Sequence, residues 1–332
     1  PLRWLKLIST YKAVLTMAPN FAYHLFCEQI KAAELVGLAL SCWETAVCGA
    51  ELVSSDLSDK FIKKYLPYGF SENAFCPSYG MAEATLCISG SRGLTVNKLD
   101  KEQLKNNKAI VTQRQTAAAY SVVSCGKPSL KTKIVTAGVA CEPGQIGEIW
   151  VAGSSVAKGY WKNEMLTKEI FHAKLENDSD HYLKTGDLGF MLAGNLYLTG
   201  RAKELIIING VNYYPHDLEE TVKASHPFLQ SEQTIVFSTP GYSTEELVII
   251  AEIKRNSSHK AYVEIADAIR LAILKAYQLA VTNIVLLPSD RIPKTTSGKL
   301  KRAVCREAFI NNTLTSLFKN NFVLFDDELA VA

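Results

Sequence analysis

The sequence predicts an α/β region with a β-barrel-like part, followed by a smaller α+β C-terminal domain. Helical patterns alternate with short apolar strands over residues 1–90, and strand patterns separated by turns fill residues 122–200. After Lys203, strands and helices alternate again in a compact stretch. A chain of 332 residues is long for one domain and suits two. We therefore expect a large domain over residues 1–202 and a small domain over residues 203–332.

Short regular elements are expected in the first 90 residues. In α/β layers, ligands bind beyond the carboxyl ends of the strands, so the loops that follow strands are candidate sites. The last predicted strand here runs into a loop that carries Tyr79 and Glu83. The predicted elements are helices within Asn20–Phe26 and Asp59–Tyr65, and strands over Glu44–Cys48 and from Phe75.

Residues 93–121 are polar and interrupt the α/β pattern, which favours an insertion packed on the surface. The β-rich part follows, with turns at Glu142-Pro-Gly and Ala193-Gly-Asn. Its predicted strands are Lys131–Thr136, Gly147–Val151 and Leu196–Leu198.

The small domain is predicted to hold strands that are buried on both faces, because their apolar residues alternate only weakly with polar ones. Its longest helix has an apolar stripe of Ala266, Ile269, Ile273 and Ala276. The predicted strands are Leu205–Ile208, Thr234–Ser238, Glu246–Ile253 and Asn283–Leu287, and the predicted helices are Pro215–Ser225 and Ala261–Leu279.

Composition narrows the function classes. The net charge of +3 is close to balance, so we expect no nucleic-acid partner. The eight cysteines are scattered without a C-x-x-C pair, which argues against a zinc site and favours free, mostly buried thiols in a reducing compartment. No run of about 18 uncharged apolar residues exists, so no membrane span is expected. A cytoplasmic location is the resulting expectation.

The segment from Ser78 to Thr85, S-Y-G-M-A-E-A-T, places an aromatic ring and a carboxylate in one loop. Tyr79 offers a flat face for a nucleobase, since every base can stack on an aromatic ring. Glu83 offers a hard oxygen ligand for Mg²⁺. Alternatively, Tyr79 is a core ring and Glu83 an exposed turn acid.

Two further segments supply a ribose acceptor and a mobile cation. Asp187, in T-G-D, suits a carboxylate that accepts hydrogen bonds from both ribose hydroxyls, and Arg201 follows it by 14 residues. Arg201 and its neighbours could also form a surface salt-bridge cluster. Lys299, in P-K-T-T-S-G-K, lies on a glycine-containing loop that could deliver charge to a developing negative oxygen. The rival interpretation of this loop is a solvated basic patch.

Together these three motifs resemble those of the adenylate-forming superfamily. The residues of the first motif resemble those of the fatty acyl-AMP ligases. The resemblance runs over essentially the whole chain and implies the fold of those ligases, truncated at its N-terminus. Residues 1–202 would be the C-terminal half of the large AMP-binding domain, and residues 203–332 the small mobile domain. The implied substrates are a fatty acid and ATP with Mg²⁺. The implied acceptor is an acyl carrier protein, or a carrier domain of a polyketide or peptide synthase.

The resemblance also implies roles for individual residues. Lys299 corresponds to the catalytic lysine of the family, Glu83 to its catalytic metal ligand, and Lys203 to its hinge. The Asn20–Tyr23 segment resembles the border of the acyl pocket, although simple core packing is an equal alternative. The implied nucleotide-binding residues are Gly49, Ala50, Glu51, Ser78, Tyr79, Gly80, Met81, Asp187 and Arg201.

One part of the family pattern is absent from the sequence. The Ser/Thr/Gly-rich loop that holds the β- and γ-phosphates of ATP occurs nowhere in the 332 residues. We expect that the N-terminal half of a ligase is missing and that this chain alone is inactive. The insertion at residues 93–121 favours transfer to a carrier over transfer to coenzyme A. An acyl-CoA ligase and a non-catalytic carrier-binding remnant remain the alternatives.

Overall fold

The computed structural model describes residues 1–113, 119–229, 233–241, 245–253, 259–295 and 299–321. The chain divides into two compact units, Pro1–Lys203 and Glu204–Ala332. The division falls one residue after the boundary that the change of pattern at Lys203 indicates.

The first part of the first unit is an α/β layer. Strands β1, β2 and β3 are parallel, β4 and then β7 (Lys127–Pro128) continue the sheet in antiparallel pairing, and the order is β1-β2-β3-β4-β7. The elements up to residue 90 are α1 (Leu2–Tyr11), β1 (Leu15–Pro19), α2 (Asn20–Gln29), β2 (Thr45–Gly49), α3 (Ser55–Tyr65), β3 (Phe75–Met81) and β4 (Leu86–Gly90).

Aromatic side chains hold these helices against the sheet. Phe61 of α3 is fully buried, and its ring centroid lies 4.9 Å from Tyr23 of α2 and 6.0 Å from Phe75 of β3. Helix α3 begins earlier than predicted because the hydroxyl of Ser54 accepts from the Leu57 amide at 3.3 Å and caps the helix.

Strand β3 corrects one prediction. It continues through Met81, so Tyr79 lies in the strand and only Glu83 lies in the turn that follows. The strand can continue because Gly80 allows its antiparallel partner β4 to lie very close. A Cβ atom at Gly80 would lie 1.5 Å from the carbonyl oxygen of Leu86.

The second part of the first unit is the β-rich region. An antiparallel sheet of order β12-β11-β10-β8-β9 forms its main body. The elements are β5 (Val96–Asp100), α4 (Lys101–Lys105), β6 (Ala119–Val123), β7, β8 (Lys131–Thr136), β9 (Val139–Ala140), β10 (Gly147–Ala152), α5 (Glu164–Phe171), β11 (Leu183–Leu192) and β12 (Asn195–Arg201).

The predicted turn at Ala193-Gly-Asn is confirmed as the hairpin between β11 and β12. Ala193 and Gly194 have φ of 48° and 78°, the two positive values that match a tight hairpin to the twist of its strands. Helix α5 was not predicted. Its start is marked by Asn163, whose side chain accepts from the Leu166 amide at 3.2 Å.

The polar segment at residues 93–121 is more than a surface insertion. Its strands β5 and β6 pair with each other, and its Leu99 and Leu104 are buried in one cluster with Phe190 and Tyr197. The prediction of surface packing is therefore wrong for these apolar residues, because sparse leucines in a polar stretch still reach the core. Residues 114–118 lie outside the described part.

The second unit contains a mixed four-stranded sheet, of order β15-β16-β17-β18, with a two-stranded sheet of β13 and β14. Its elements are β13 (Ile206–Ile208), β14 (Val211–Tyr213), α6 (Pro215–Ser225), β15 (Thr234–Pro240), β16 (Glu245–Ile253), α7 (His259–Tyr277), β17 (Asn283–Pro288), α8 (Arg302–Ile310) and β18 (Phe318–Asn321).

Both faces of this sheet are covered, which confirms the prediction from weak alternation. Side chains of α6 and α7 pack with one face, and Cys305 of α8 packs with the other. The apolar stripe of α7 holds Ala266, Ile269 and Ile273, but Ala276 is exposed and Tyr277 takes its place. The stripe follows the i, i+4 row of the helix, which runs from Ile273 to Tyr277.

In the described ranges, no helix is long and apolar enough to cross a membrane. All eight cysteines are free, and burial raises the pKa of the Cys125 thiol to about 12.

We predict that Gly80→Ala lowers the free energy of unfolding of the first unit by more than about 3 kcal/mol, because the new methyl group meets backbone that cannot move aside. Urea unfolding followed by tryptophan fluorescence measures this, since all four tryptophans lie in residues 1–203. Gly90→Ala is the control, because its methyl group would meet only the hydroxyl of Ser78, at 3.1 Å. Equal losses in the two variants would contradict the prediction.

Candidate functional site

A buried carboxylate, Asp187, joins two of the predicted motifs. The Tyr79 hydroxyl donates to its Oδ2 at 2.7 Å, although the two residues are 108 positions apart. The Arg201 Nε atom pairs with its Oδ1 at 3.0 Å. Asp187 and Arg201 are cross-strand partners on β11 and β12, so the sheet register brings them together. The structure thus gathers Tyr79, Asp187 and Arg201 at one point.

The backbone around Asp187 is held by its own motif. The Thr185 hydroxyl accepts from the Asp187 amide at 3.1 Å and donates to the Ile149 carbonyl at 2.7 Å. Gly186 has a φ of 71°, a conformation that suits glycine, and its amide donates to the Glu148 carboxylate at 3.0 Å. These hydrogen bonds fix the turn of the T-G-D sequence within β11, and the turn holds the Asp187 carboxylate in one orientation.

Asp187 is only 6% exposed, and a buried carboxylate needs charged or hydrogen-bonding partners to offset its lost hydration. Tyr79 and Arg201 supply two of them. Arg201 is mostly exposed, with 64% of its side chain accessible, so solvent screens this ion pair and leaves the guanidinium reachable from outside. Arg201 therefore forms an ion pair with Asp187, and its contact with ribose and phosphate stays a prediction.

Tyr79 differs from its prediction as an open stacking face. The residue is 6% exposed and belongs to a core cluster with Ile88, Ile149 and Leu183. Burial, and then the charge of Asp187, raise the pKa of the Tyr79 hydroxyl well above its usual range, so it stays a proton donor. What the structure adds is this donor function; the stacking of adenine on Tyr79 stays a prediction.

Glu83 lies in a short turn, Ala82–Ala84, that is tied to residues 155–160. Its Oε1 accepts from the Tyr160 hydroxyl at 2.9 Å, and its backbone carbonyl accepts from the Ala157 amide at 2.8 Å. The Thr85 hydroxyl donates to the Ser155 carbonyl at 2.6 Å. Three contacts thus fix the turn that presents the predicted metal ligand, in a partly buried position.

The donor set around Glu83 fits Mg²⁺ better than a metal held in a protein cage. Among the residues that the structure describes, no group of three or more His, Cys, Asp or Glu side chains could hold a metal ion. Mg²⁺ usually takes one or two carboxylates and completes its shell with water and substrate phosphates. A single carboxylate is enough for that mode.

Gly49 and Ser78 are neighbours at the ends of adjacent parallel strands. A Cβ atom at Gly49 would lie 2.7 Å from the Ser78 carbonyl oxygen, so the absent side chain admits backbone and not a flat ligand. Ala50 follows with a φ of 68°, which turns the chain away from β2 toward Glu51. The parallel pairing of β2 with β3 runs up to Cys48 and Pro77, directly before Gly49 and Ser78.

For the Asn20–Tyr23 segment, the structure favours core packing over a border of the acyl pocket. Tyr23 is 1% exposed, and its hydroxyl donates to the Val47 carbonyl at 2.9 Å. The Asn20 side chain accepts from the Ser54 amide at 3.3 Å. Phe21, at 39% exposure, is the large side chain of this segment that faces outward.

The remaining predicted residues are Lys203 and Lys299. Lys203 closes the first unit, in the turn Ala202–Glu204. Lys299 lies in the second unit, and its amide donates to the Thr295 hydroxyl at 3.0 Å. Residues 296–298 of its loop lie outside the described part. The contacts described above are therefore built from the first unit alone.

Sequence reasoning missed Tyr160 and Glu148. Tyr160 lies 77 residues after Glu83, and no local pattern links them. Glu148 accepts from the Gly186 amide and, through its other oxygen, from the Trp150 indole at 2.8 Å. Glu148 and Trp150 occupy alternate positions on β10, and residues i and i+2 of a strand share a face. This spacing is a weak sequence signal for the contact between Glu148 and Trp150.

Comparison with known proteins finds similar sequences for both parts of the chain. A sequence model of AMP-binding enzymes matches residues 1–161, and a model of the Disco-interacting protein 2-like AMP domain matches residues 203–319. The medium-chain-fatty-acid–[acyl-carrier-protein] ligase JamA of Moorena producens is 39% identical over 95% of this chain and 55% of its own length. The long-chain-fatty-acid–AMP ligase FadD26 of Mycobacterium tuberculosis is 34% identical over 93% of this chain and 55% of its own length.

Solved structures of fatty acyl-adenylate ligases are also similar to this chain. One from a study of fatty acyl-adenylate ligases of E. coli and L. pneumophila superposes with a TM-score of 0.83, at 33% identity over 95% of this chain and 56% of that one. The L. pneumophila ligase in complex with acyl adenylate and pyrophosphate gives a TM-score of 0.62, at 36% identity over 97% of this chain and 57% of that one. The chain spans about half the length of the relatives it matches.

We predict that Tyr79→Phe lowers the free energy of unfolding of the first unit by about 2 kcal/mol, because Asp187 loses a hydrogen bond to a charged group. Tyr23→Phe is the matched control: it removes a hydroxyl that donates to a neutral carbonyl, and we expect about 1 kcal/mol. Urea unfolding measures both. A smaller loss for Tyr79→Phe than for Tyr23→Phe would argue that Asp187 does not depend on this donor.

Proposed function

We propose that this chain is part of a fatty acyl-AMP ligase of the adenylate-forming superfamily, and that it supplies the ribose-binding, metal-binding and lysine-bearing parts of a site that activates a fatty acid with ATP. The product would be an acyl-adenylate, and the acyl group would pass to the phosphopantetheine of an acyl carrier protein. The observation that carries the proposal is the buried Asp187, aimed by its own turn and contacted by Tyr79 and Arg201.

In this proposal Asp187 accepts hydrogen bonds from the two ribose hydroxyls. Its carboxylate is held in place by the locked Thr185-Gly186 turn, so little ordering remains to be done when the ligand binds. Tyr79 donates from the core side and fixes one oxygen, whereas Arg201 is accessible and can turn toward a phosphate. Hydrogen bonds from ribose would then replace part of the Arg201 contact.

Glu83 is the residue that would hold Mg²⁺, which supplies positive charge next to the phosphates of ATP. Tyr160 orients the Glu83 carboxylate through Oε1, and burial together with the Glu83 hydrogen bond raises the pKa of the Tyr160 hydroxyl. Tyr160 therefore acts as a neutral donor beside the metal ligand.

Lys299 would stabilise charge on the α-phosphate when the fatty-acid carboxylate attacks. Attack of one anion on another requires fixed positive groups near the oxygen that gains charge. Lys203 would be the hinge about which the second unit brings Lys299 to this place. These two roles rest on the family motifs around both lysines.

We also propose that activity requires a phosphate-binding segment that the 332 residues do not contain, since the Ser/Thr/Gly-rich loop of the family is absent from them. The chain covers about half the length of its curated relatives, and this partial coverage supports the proposal. Two of them are described as acyl-carrier-protein ligases, which favours a carrier over coenzyme A as the acceptor.

We predict that calorimetry detects binding of a non-hydrolysable acyl-AMP analogue to this chain, and that Asp187→Ala weakens the binding at least tenfold. Asp180→Ala is the control, because Asp180 is a half-exposed acid of the same unit that pairs with Lys131 at 2.7 Å, and we expect it to change the affinity by less than twofold. Equal affinities in the wild-type chain and Asp187→Ala would remove Asp187 from the site.

A second prediction concerns turnover. We expect no ATP-dependent pyrophosphate release by this chain with a fatty acid, and release when the phosphate-loop half of a fatty acyl-AMP ligase is added as a separate chain. Lys299→Ala should abolish the restored activity. Release by the chain alone would contradict the need for a further segment. Capture of carrier proteins that is unaffected by Lys299→Ala, without any restored release, would favour a non-catalytic carrier-binding module.

A further inference from the structure

The segment that carries Lys299 is closed by backbone hydrogen bonds. Lys294 and Leu300 form an antiparallel bridge, and the Lys301 amide donates to the Pro293 carbonyl at 2.8 Å. Lys299 itself is held twice by Thr295: its carbonyl accepts from the Thr295 amide at 2.8 Å and its amide donates to the Thr295 hydroxyl at 3.0 Å. We call residues 293–295 and 299–301 the lysine stem.

A buried carboxylate holds the segment that enters the stem. Glu252 of β16 is 1% exposed, and its Oε1 accepts from the amides of Arg291 and Ile292 at 2.7 and 2.6 Å. Ile292 is itself buried, in a cluster with Val285 and Cys305. The chain therefore enters the lysine stem from a point fixed by two charge-assisted hydrogen bonds and by apolar packing.

An arginine holds the segment that leaves the stem. Arg302 begins α8 directly after Lys301, and its Nη1 donates to the Glu219 carboxylate and, at 2.8 Å, to the Val236 carbonyl. Its Nε donates to Glu204 at 3.2 Å. Glu219 is 6% exposed and also accepts from the Val236 amide at 2.9 Å, so Arg302 is anchored to both a helix and a strand of the second unit.

Burying these charges does not by itself favour stability. A buried ion pair often stabilises a protein no more than apolar side chains of similar volume would, because both ions lose hydration. What the arrangement does achieve is geometric: it specifies where the backbone lies at residues 291, 292 and 302. Those are the positions directly before and after the lysine stem.

We propose that Glu252 and Arg302 are positioning residues for Lys299. They hold the two ends of the lysine stem on the sheet of the second unit, so that the stem moves with that unit as one rigid body. Glu204 follows Lys203 directly, and its bond to Arg302 ties the stem to the first residue after the hinge. The inference rests on the proposed function only for the role of Lys299.

Amide hydrogen exchange on the full 332-residue chain tests this proposal. We expect Glu252→Ala to speed exchange at the stem amides of Thr295, Lys299 and Lys301 about tenfold, while the amides of β15 and α7 change by less than twofold. Glu252→Gln keeps a carbonyl oxygen that can accept, and it should restore most of the protection. Asp290→Ala is the control, because Asp290 is an adjacent but exposed acid that pairs with Lys294 at 3.8 Å.

A second variant tests the other end of the stem and serves if Glu252→Ala does not fold. Arg302→Lys keeps the charge but cannot reach all three acceptors, and we expect the same local acceleration at Lys299 and Lys301. Unchanged stem amides in either variant would overturn the proposal. Equal acceleration throughout the second unit would also overturn it, since it would mean general support of the fold. The measurement uses no nucleotide, so a failure of the proposed function would leave its result unaffected.

Discussion

The requirement that a buried carboxylate be satisfied connects most of the candidate site. Asp187 lies inside the first unit, where an isolated charge would cost several kcal/mol, and it is therefore bonded on more than one side. Tyr79 comes from the parallel layer, Arg201 from the partner strand and the Thr185 turn from its own strand. One acidic side chain thus links residues of two sheets, beside the apolar contacts between them.

Buried carboxylates also accept hydrogen bonds in the second unit, where they fix the backbone. Glu252 and Glu219 are buried carboxylates, and both accept from backbone amides: Glu252 from Arg291 and Ile292, and Glu219 from Val236. In the proposed function Asp187 would present its carboxylate to a ligand, whereas Glu252 keeps its carboxylate inside and fixes a loop. In both cases hydrogen bonds to a buried carboxylate fix the groups around it.

Two glycines near the site make room for backbone atoms of neighbouring strands. The space at Gly80 is filled by the Leu86 carbonyl and the space at Gly49 by the Ser78 carbonyl, so both glycines permit the close approach of a neighbouring strand. Gly80 lets β3 lie close to β4, and Gly49 lets the end of β2 lie close to β3. A glycine in a motif therefore need not mark a ligand contact, because only the folded chain shows what occupies the missing Cβ position.

The sequence by itself determined the order of layers, the boundary near Lys203, most of the strands and the short motifs that hold Tyr79, Asp187 and Lys299. These follow from local periodicity and from residue chemistry, which are properties of neighbours in the chain. Helix α5, the buried leucines of the polar segment and the true stripe of α7 were missed or misplaced, because burial there depends on partners from elsewhere. The contacts from Tyr160 to Glu83 and from Glu252 to Ile292 span 77 and 40 residues. Only the tertiary structure decided them, because a hydrogen bond between distant segments depends on sheet register and strand order, which no local pattern encodes.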